Sequence, residues 1–188
     1  MKAETGTDAY SWPAVALHWL MAVLILGLFA LGLYMRDLHL SPLKLELYNW
    51  HKWAGVTAFL LLLLRLAWRA GHRPPDLPAS MPAWQRSAAR AGHGLLYLLM
   101  IAVPLSGWLV SSAQGFQTVY FGVLPIPDLL AKDKVLGELL GAVHEWLNYL
   151  TMAVVAGHAA MAVWHHVFER DNVLASMLPW LGDKEGRP

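Results

Sequence analysis

The sequence predicts an all-α integral membrane protein, a four-helix bundle whose N- and C-termini lie in the cytoplasm. Of its 188 residues, 57% are hydrophobic and 14% are charged, and the mean hydropathy is +0.42, whereas a soluble domain has about 25% charged residues. Four apolar segments are long enough to cross the hydrocarbon core, which takes about 20 residues. They lie at about 12–35, 47–70, 88–111 and 140–167, and they predict one membrane domain over 1–188.

The first two segments are bounded by proline and charge. Pro13 follows Ser11 and suits a first helical turn, where its missing N–H would be unpaired anyway. The first apolar run ends at Arg36, and Pro42 lies in a short polar connection. The second segment begins near Leu47 and becomes almost pure leucine toward its middle.

Proline and glycine also mark the later connections. Several prolines within 71–84 make a continuous helix implausible there. The third segment contains Pro104, which a membrane helix tolerates when neighbours satisfy the freed carbonyl. The stretch 111–134 is predicted to be a long loop with room for a short surface helix. The tail, 171–188, begins with an apolar face that suits a membrane surface and is then expected to fray.

Charge asymmetry between the connections predicts the orientation of the bundle, because cytoplasmic connections carry the excess of Lys and Arg. The connection over 66–90 holds four arginines and one aspartate, whereas those over 36–46 and 112–138 mix acidic and basic residues. We therefore expect the 66–90 connection and both termini to face the cytoplasm. The charged residues of that connection are Arg69, Arg73, Arg86, Arg90 and Asp76.

Four histidines on three apolar segments form the candidate site: His18, His51, His144 and His158. Histidine inside a membrane is costly and usually functional. His144 and His158 are 14 residues apart, so they share one helix face about 21 Å apart along the axis. His51 is then expected to face His144 at the outer side, and His18 to face His158 at the inner side. This is the layout needed to clamp two haem irons, each between two imidazoles.

The absence of cysteine limits how a haem is held. The chain contains no cysteine, which excludes disulfides, Fe–S clusters, thiolate ligation and covalent attachment through a C-x-x-C-H motif. Any haem is therefore expected to bind non-covalently.

Residues around the histidines suit a porphyrin. Gly55, Ala22 and Ala162 each follow a candidate ligand by four residues, so they leave room on the same helix face. Arg65 lies 14 residues after His51, at the depth of the inner pair. Because a lone arginine in a leucine run needs an anionic partner, we expect Arg65 to contact a haem propionate.

Several alternatives stay open at this point. Any one of these histidines could be an interface residue, and His165 could replace His158 as a ligand. His93 could be a spare ligand, a proton or quinone contact, or an interface residue beside Arg90. A zinc or di-iron site would need carboxylates converging with histidines. Glu145 adjoins a candidate ligand, but adjacent residues do not share a helix face.

The chain resembles the prokaryotic cytochrome b561 family over about residues 10–180. The sequence stretches that carry the resemblance are LHWLMA around His18, YNWHKWAG around His51, the Arg65 position, GHGLLYLLMIAVPLSGW in the third segment, VHEWL around His144, and AGHAAMAVWHHVFERDNVLASMLP from His158 onward. The resemblance implies two b haems ligated at the positions of His18, His51, His144 and His158, in a multi-pass protein of the bacterial inner membrane.

The resemblance also implies two functions. Family members that stand alone are similar to superoxide oxidases, which take electrons from superoxide at the outer face and reduce ubiquinone. Others are membrane subunits that pass electrons from a partner dehydrogenase or hydrogenase to quinone. Lys52, next to His51, is the best candidate for attracting an anion, although the outer loops are mixed in charge. A haem-free scaffold is the third possibility, and a homodimer stays open.

Overall fold

The computed structural model describes residues 10–72, 74–75 and 81–178. In that part of the chain there are four long helices, each apolar enough to span a membrane, which confirms the predicted fold class. The helices are α1 (Trp12–Arg36), α2 (Pro42–Gly71), α3 (Ala83–Gln114) and α4 (Lys134–Trp164), the last continued by a π-helical turn (His165–Glu169).

A short hairpin replaces the surface helix considered for the third connection. Strands β1 (Val119–Tyr120) and β2 (Leu124–Pro125) are antiparallel, with Tyr120 opposite Leu124. They are joined by a turn in which Phe121 and Gly122 both have positive φ angles, 49° and 71°. Positive φ at both central positions is the geometry of the tight turns that join hairpins.

Helix caps explain why α2 and α4 begin earlier than the hydropathy predicts. The Ser41 hydroxyl accepts a hydrogen bond from the backbone N–H of Lys44 at 3.2 Å, and Pro42 occupies the first turn. Asp133 accepts likewise from the N–H of Leu136 at 3.0 Å. These caps satisfy N–H groups that a helix start leaves unpaired, so polar residues assigned to connections begin helices instead.

The helices pack as two close pairs. α1 packs along α2 and α3 along α4, while α2 and α3 share a smaller contact. Within the described residues, α4 makes at most sparse close backbone contacts with α1 and α2. Side chains cross the wider spacing between α1 and α4: Arg36 pairs with Glu145 near one end, and Phe29 meets Tyr149 edge-on at 6.0 Å.

Most of each span faces outward. Met21 and Leu62 are almost fully buried, but Val23 on the first helix is 68% exposed. Because lipid tails are as apolar as leucine, such faces are covered by the bilayer and need no protein partner.

Both described ends of the chain meet at one end of the bundle. Trp19 Nε1 donates to the carbonyl of Met177 at 2.9 Å, which brings the segment after α4 against the start of α1. This agrees with an even number of crossings. That these ends lie on the cytoplasmic side stays a prediction. Arg73 and Asp76, which enter the charge argument, and the segment 179–188, which is predicted to fray, lie outside the described residues.

Candidate haem-binding site

The structure brings the four histidines together as two pairs. The ring centres of His18 and His158 are 6.3 Å apart, and those of His51 and His144 are 6.4 Å apart. We call them the inner pair and the outer pair, after the sides of the membrane that the sequence predicts for them. The inner pair joins α1 to α4, and the outer pair joins α2 to α4. Both pairs cross the wider spacing that separates α4 from α1 and α2.

Both separations fit a metal ion held between two imidazoles. A metal–imidazole bond is about 2.0–2.1 Å long and the ring centre lies roughly 1.1 Å behind the nitrogen, so two rings on one ion have centres about 6.3 Å apart. Direct contact between two rings allows shorter separations: the rings of His93 and His158 are 5.2 Å apart. The residues of both pairs therefore fit a haem iron.

Helix α3 orients the ring of His144. Its Nδ1 lies 3.1 Å from the carbonyl of Val103 and 2.8 Å from the hydroxyl of Ser106. A carbonyl can only accept, so Nδ1 carries the proton in this contact and Nε2 keeps its lone pair for a metal. The Ser106 hydroxyl donates its own proton to Val103 at 2.7 Å.

Two glycines allow the outer rings to lie close to neighbouring helices. A Cβ at Gly107 would be 3.1 Å from Cε1 of His144, and one at Gly32 would be 3.5 Å from Cε1 of His51. At Gly55, by contrast, a Cβ would meet nothing within 4 Å among the described residues. The face of α2 that follows His51 is thus open, as a flat ring lying on it would require.

The other outer ligand candidate has a buried nitrogen without a partner. Nδ1 of His51 is buried and makes no hydrogen bond to any described residue. A buried polar atom left unpaired costs roughly 1–3 kcal/mol. Binding a group that supplies a partner would remove that cost, so this atom is a second local sign of a ligand site.

The inner pair has a different environment. Nη1 of Arg65 lies 3.1 Å from Nδ1 of His18. Because a guanidinium only donates, Nδ1 accepts, and the neutral ring then carries its proton on Nε2. If Nε2 bound iron, the ring proton would be on Nδ1, and Nδ1 could no longer accept from Arg65. A haem propionate would then be the partner of Arg65, and this contact stays a prediction.

The two alternative ligand candidates, His93 and His165, and the carboxylate of Glu145 have other contacts. His93 is exposed and meets the inner pair edge-on. His165 is buried and its Nδ1 lies 2.7 Å from Asp171, a partner within its own segment. Glu145 pairs with Arg36 instead of joining the outer pair. Across the described ranges, no three His, Asp or Glu side chains converge as a metal cluster.

A cavity of about 180 Å³ lies beside Arg65, the residue that contacts His18 of the inner pair. It is lined by Tyr10, Arg65, Trp68, Arg69 and Tyr97, among others. The two guanidinium carbons lie 6.0 and 5.7 Å from the ring centre of Tyr97. Burial raises the pKa of Tyr10, against the opposing effect of the two arginines, so its hydroxyl stays a hydrogen-bond donor at neutral pH.

Sequence reasoning missed this cavity and the support for His144. The cavity collects residues from three helices and the chain end, and no local pattern joins them. No local pattern marked Val103 and Ser106 as partners of His144, because the carbonyl that Pro104 frees is that of Met100, one turn earlier.

Comparison with known proteins decides the family. The family model described as prokaryotic cytochrome b561 matches residues 9–180. The chain belongs to the prokaryotic cytochrome b561 family. Membership makes it a transmembrane electron-transfer protein of a family that binds b-type haem.

Individual relatives agree with this family. The chain is 36% identical over 185 residues to cytochrome b561 homolog 2 of Escherichia coli K12, covering 95% of each chain. It is 28% identical over 186 residues to cytochrome b561 homolog 1 of the same organism, covering 92% of this chain and 98% of the relative. It is 26% identical over 171 residues to a probable superoxide oxidase of Yersinia pestis, covering 90% and 96%.

Proposed function

We propose that this protein carries electrons across the bacterial inner membrane through two b haems, from superoxide at the outer face to ubiquinone. The haems are held by His51 with His144 and by His18 with His158. The observation that carries the proposal is the matching separation of the two pairs, 6.4 and 6.3 Å between ring centres. Each bound haem would supply reversible one-electron iron chemistry.

The chain's own residues position and insulate this chemistry. Val103 and Ser106 hold His144 in the tautomer that leaves Nε2 free. The apolar helices exclude water around both pairs. About 21 Å of helix separates His144 from His158, so one site lies in the outer half of the membrane and the other in the inner half.

Superoxide is the proposed donor because of the relative named a probable superoxide oxidase. Two superoxide ions would each give up one electron and leave as O2, and one ubiquinone would take both electrons and two protons. Lys52 is the nearest cation in sequence to the outer pair. Its Nζ donates to the carbonyl of Phe116 at 3.1 Å, and the remaining N–H groups can face an arriving anion.

The cavity beside the inner pair is the proposed place for the quinone head group. Arg65 both lines the cavity and contacts His18, so a single residue would separate an occupant from an inner ligand. The Tyr10 hydroxyl and the guanidinium of Arg69 offer donors for the quinone oxygens. The aromatic sides of Trp68 and Tyr97 offer surfaces for its ring.

One observation favours an alternative function, a membrane subunit that receives electrons from a partner dehydrogenase or hydrogenase. The outer connections, over 36–46 and 112–138, mix acidic and basic residues and are not strongly basic. A surface of mixed charge attracts an anion only weakly. In this alternative the chain holds both haems but reacts with superoxide only slowly.

The test is a reduced-minus-oxidised visible spectrum with a pyridine haemochrome count on the purified chain, on His51→Ala and on His158→Ala. Two b haems in the parent, with a different one lost in each variant, are expected. No haem would leave a haem-free scaffold, and unchanged spectra would refute the ligand assignment. Superoxide-driven ubiquinone reduction by the purified chain alone then separates the oxidase from the partner-dependent subunit.

A further inference from the structure

The loop between α3 and α4 folds back along the bundle instead of extending into water. We call residues 115–127 the outer hairpin. The hydroxyl of Tyr120 is 2.9 Å from that of Thr57, and Thr57 lies six residues past His51, about 9 Å farther into the membrane. Trp108, six residues before the end of α3, donates to the carbonyl of Pro127 at 2.9 Å. The outer hairpin therefore reaches the depth of the outer pair.

Backbone at such a depth needs its polar groups paired, because lipid offers no hydrogen bonds. Within the hairpin, Gly122 N–H bonds to Val119 and Ile126 N–H bonds to Thr118, at 3.1 and 2.8 Å. Side chains of α2 pair two further carbonyls. Trp53 Nε1 donates to the carbonyl of Val119 at 2.7 Å, and Lys52 donates to that of Phe116.

The opposite side of the hairpin is apolar and exposed among the described residues. Val123 and Leu124 are 83% and 60% exposed. No residue from 115 to 127 is charged. Loops that stand in water are seldom composed in this way.

Phe121 has a conformation that its side chain does not favour. Its φ of 49° is in the left-handed region, where such turns usually place Asn or Asp. Its ring packs on Trp53 and Tyr120, with ring centres 5.4 and 4.5 Å away. This packing offsets the cost of the strained position and holds the apolar tip against α2.

We propose that the outer hairpin inserts its tip into the outer leaflet, at the boundary between headgroups and acyl chains. The occupant of its apolar face is phospholipid, because that face is exposed and uncharged and Tyr120 holds the hairpin beside Thr57, at membrane depth. Trp53 and Trp108, which hold the hairpin through their ring N–H groups, are residues that favour this boundary. The hairpin thus braces the ends of α2 and α3 next to the outer pair.

The lack of cysteine in the chain makes a direct test possible. Val123→Cys is spin-labelled in the haem-loaded protein, reconstituted into phosphatidylethanolamine–phosphatidylglycerol vesicles. Its collision with dissolved O2, which concentrates in lipid, is compared with that of a water-soluble nickel chelate. Lys134→Cys, exposed at the same end, is the aqueous control, and Leu60→Cys, exposed on the middle of α2, is the lipid control.

Insertion predicts an O2-to-nickel collision ratio at position 123 several-fold above that at 134 and approaching that at 60. A ratio equal to that at 134 would overturn the proposal. Spin–spin broadening that disappears when labelled protein is diluted with unlabelled protein would instead assign the face to a second copy, and would overturn it too. Phe121→Asn, which suits the turn, should keep both haems and lower the ratio at position 123.

Discussion

Removing the Ser106 hydroxyl tests how α3 prepares the outer site. In Ser106→Ala, His144 loses the partner at 2.8 Å and keeps the Val103 carbonyl at 3.1 Å. Losing a hydrogen-bond partner of a metal-bound imidazole lowers metal affinity about 10–100-fold. Because one of two partners remains, we expect the lower limit, about tenfold, or roughly 1.4 kcal/mol.

The assay is competitive transfer of haem to an excess of apomyoglobin, followed at the absorption band of each b haem. The outer haem should leave Ser106→Ala about tenfold more readily than the parent, while the inner haem leaves at the parent rate. Thr151→Ala is the matched control. Thr151 is also a buried hydroxyl, 4% exposed, but it donates to its own helix at Leu147.

Two results would refute this reasoning. Equal retention of the outer haem in Ser106→Ala and the parent would mean that the hydroxyl does not support the ligand. Equal loss of both haems would indicate a general loosening of the bundle. Ser106→Thr, which keeps a hydroxyl, should restore retention.

Three further substitutions have distinct expected outcomes. Gly107→Ala places a Cβ 3.1 Å from Cε1 of His144, so the ring must shift by a few tenths of an ångström. The outer haem should then transfer to apomyoglobin more readily than in the parent, while the inner haem does not. Equal retention of the outer haem in the variant and the parent would contradict this expectation. Arg65→Met removes a positive charge beside the inner pair and should lower the midpoint potential of the inner haem in a redox titration. Arg65→Lys, which keeps the charge, should recover part of the shift. An unchanged potential in Arg65→Met would exclude an electrostatic role for Arg65. His165→Ala should keep two haems, because Asp171 is the partner of His165. If His165→Ala lost the inner haem and His158→Ala kept both haems, His165 would replace His158 as the assigned ligand.

The spans and the pairing of the histidines could be predicted because each depends on one local rule. Bilayer thickness sets the length of an apolar run, and all four runs correspond to helices. The 3.6-residue period puts His144 and His158 on one face, and that face selects the partner at each depth. Helix ends were predicted less well, since Ser41 and Asp133 are polar residues that begin helices by capping them.

The sequence by itself thus determined a four-helix membrane bundle, its family, and two pairs of histidines at two depths. Only the tertiary structure decided that Ser106 and Val103 orient His144, that Arg65 contacts His18, and that the outer hairpin lies against α2. These contacts depend on how far each helix is rotated and shifted against its neighbours. Periodicity and hydropathy describe one helix at a time, so contacts set by packing between helices have no signature in either.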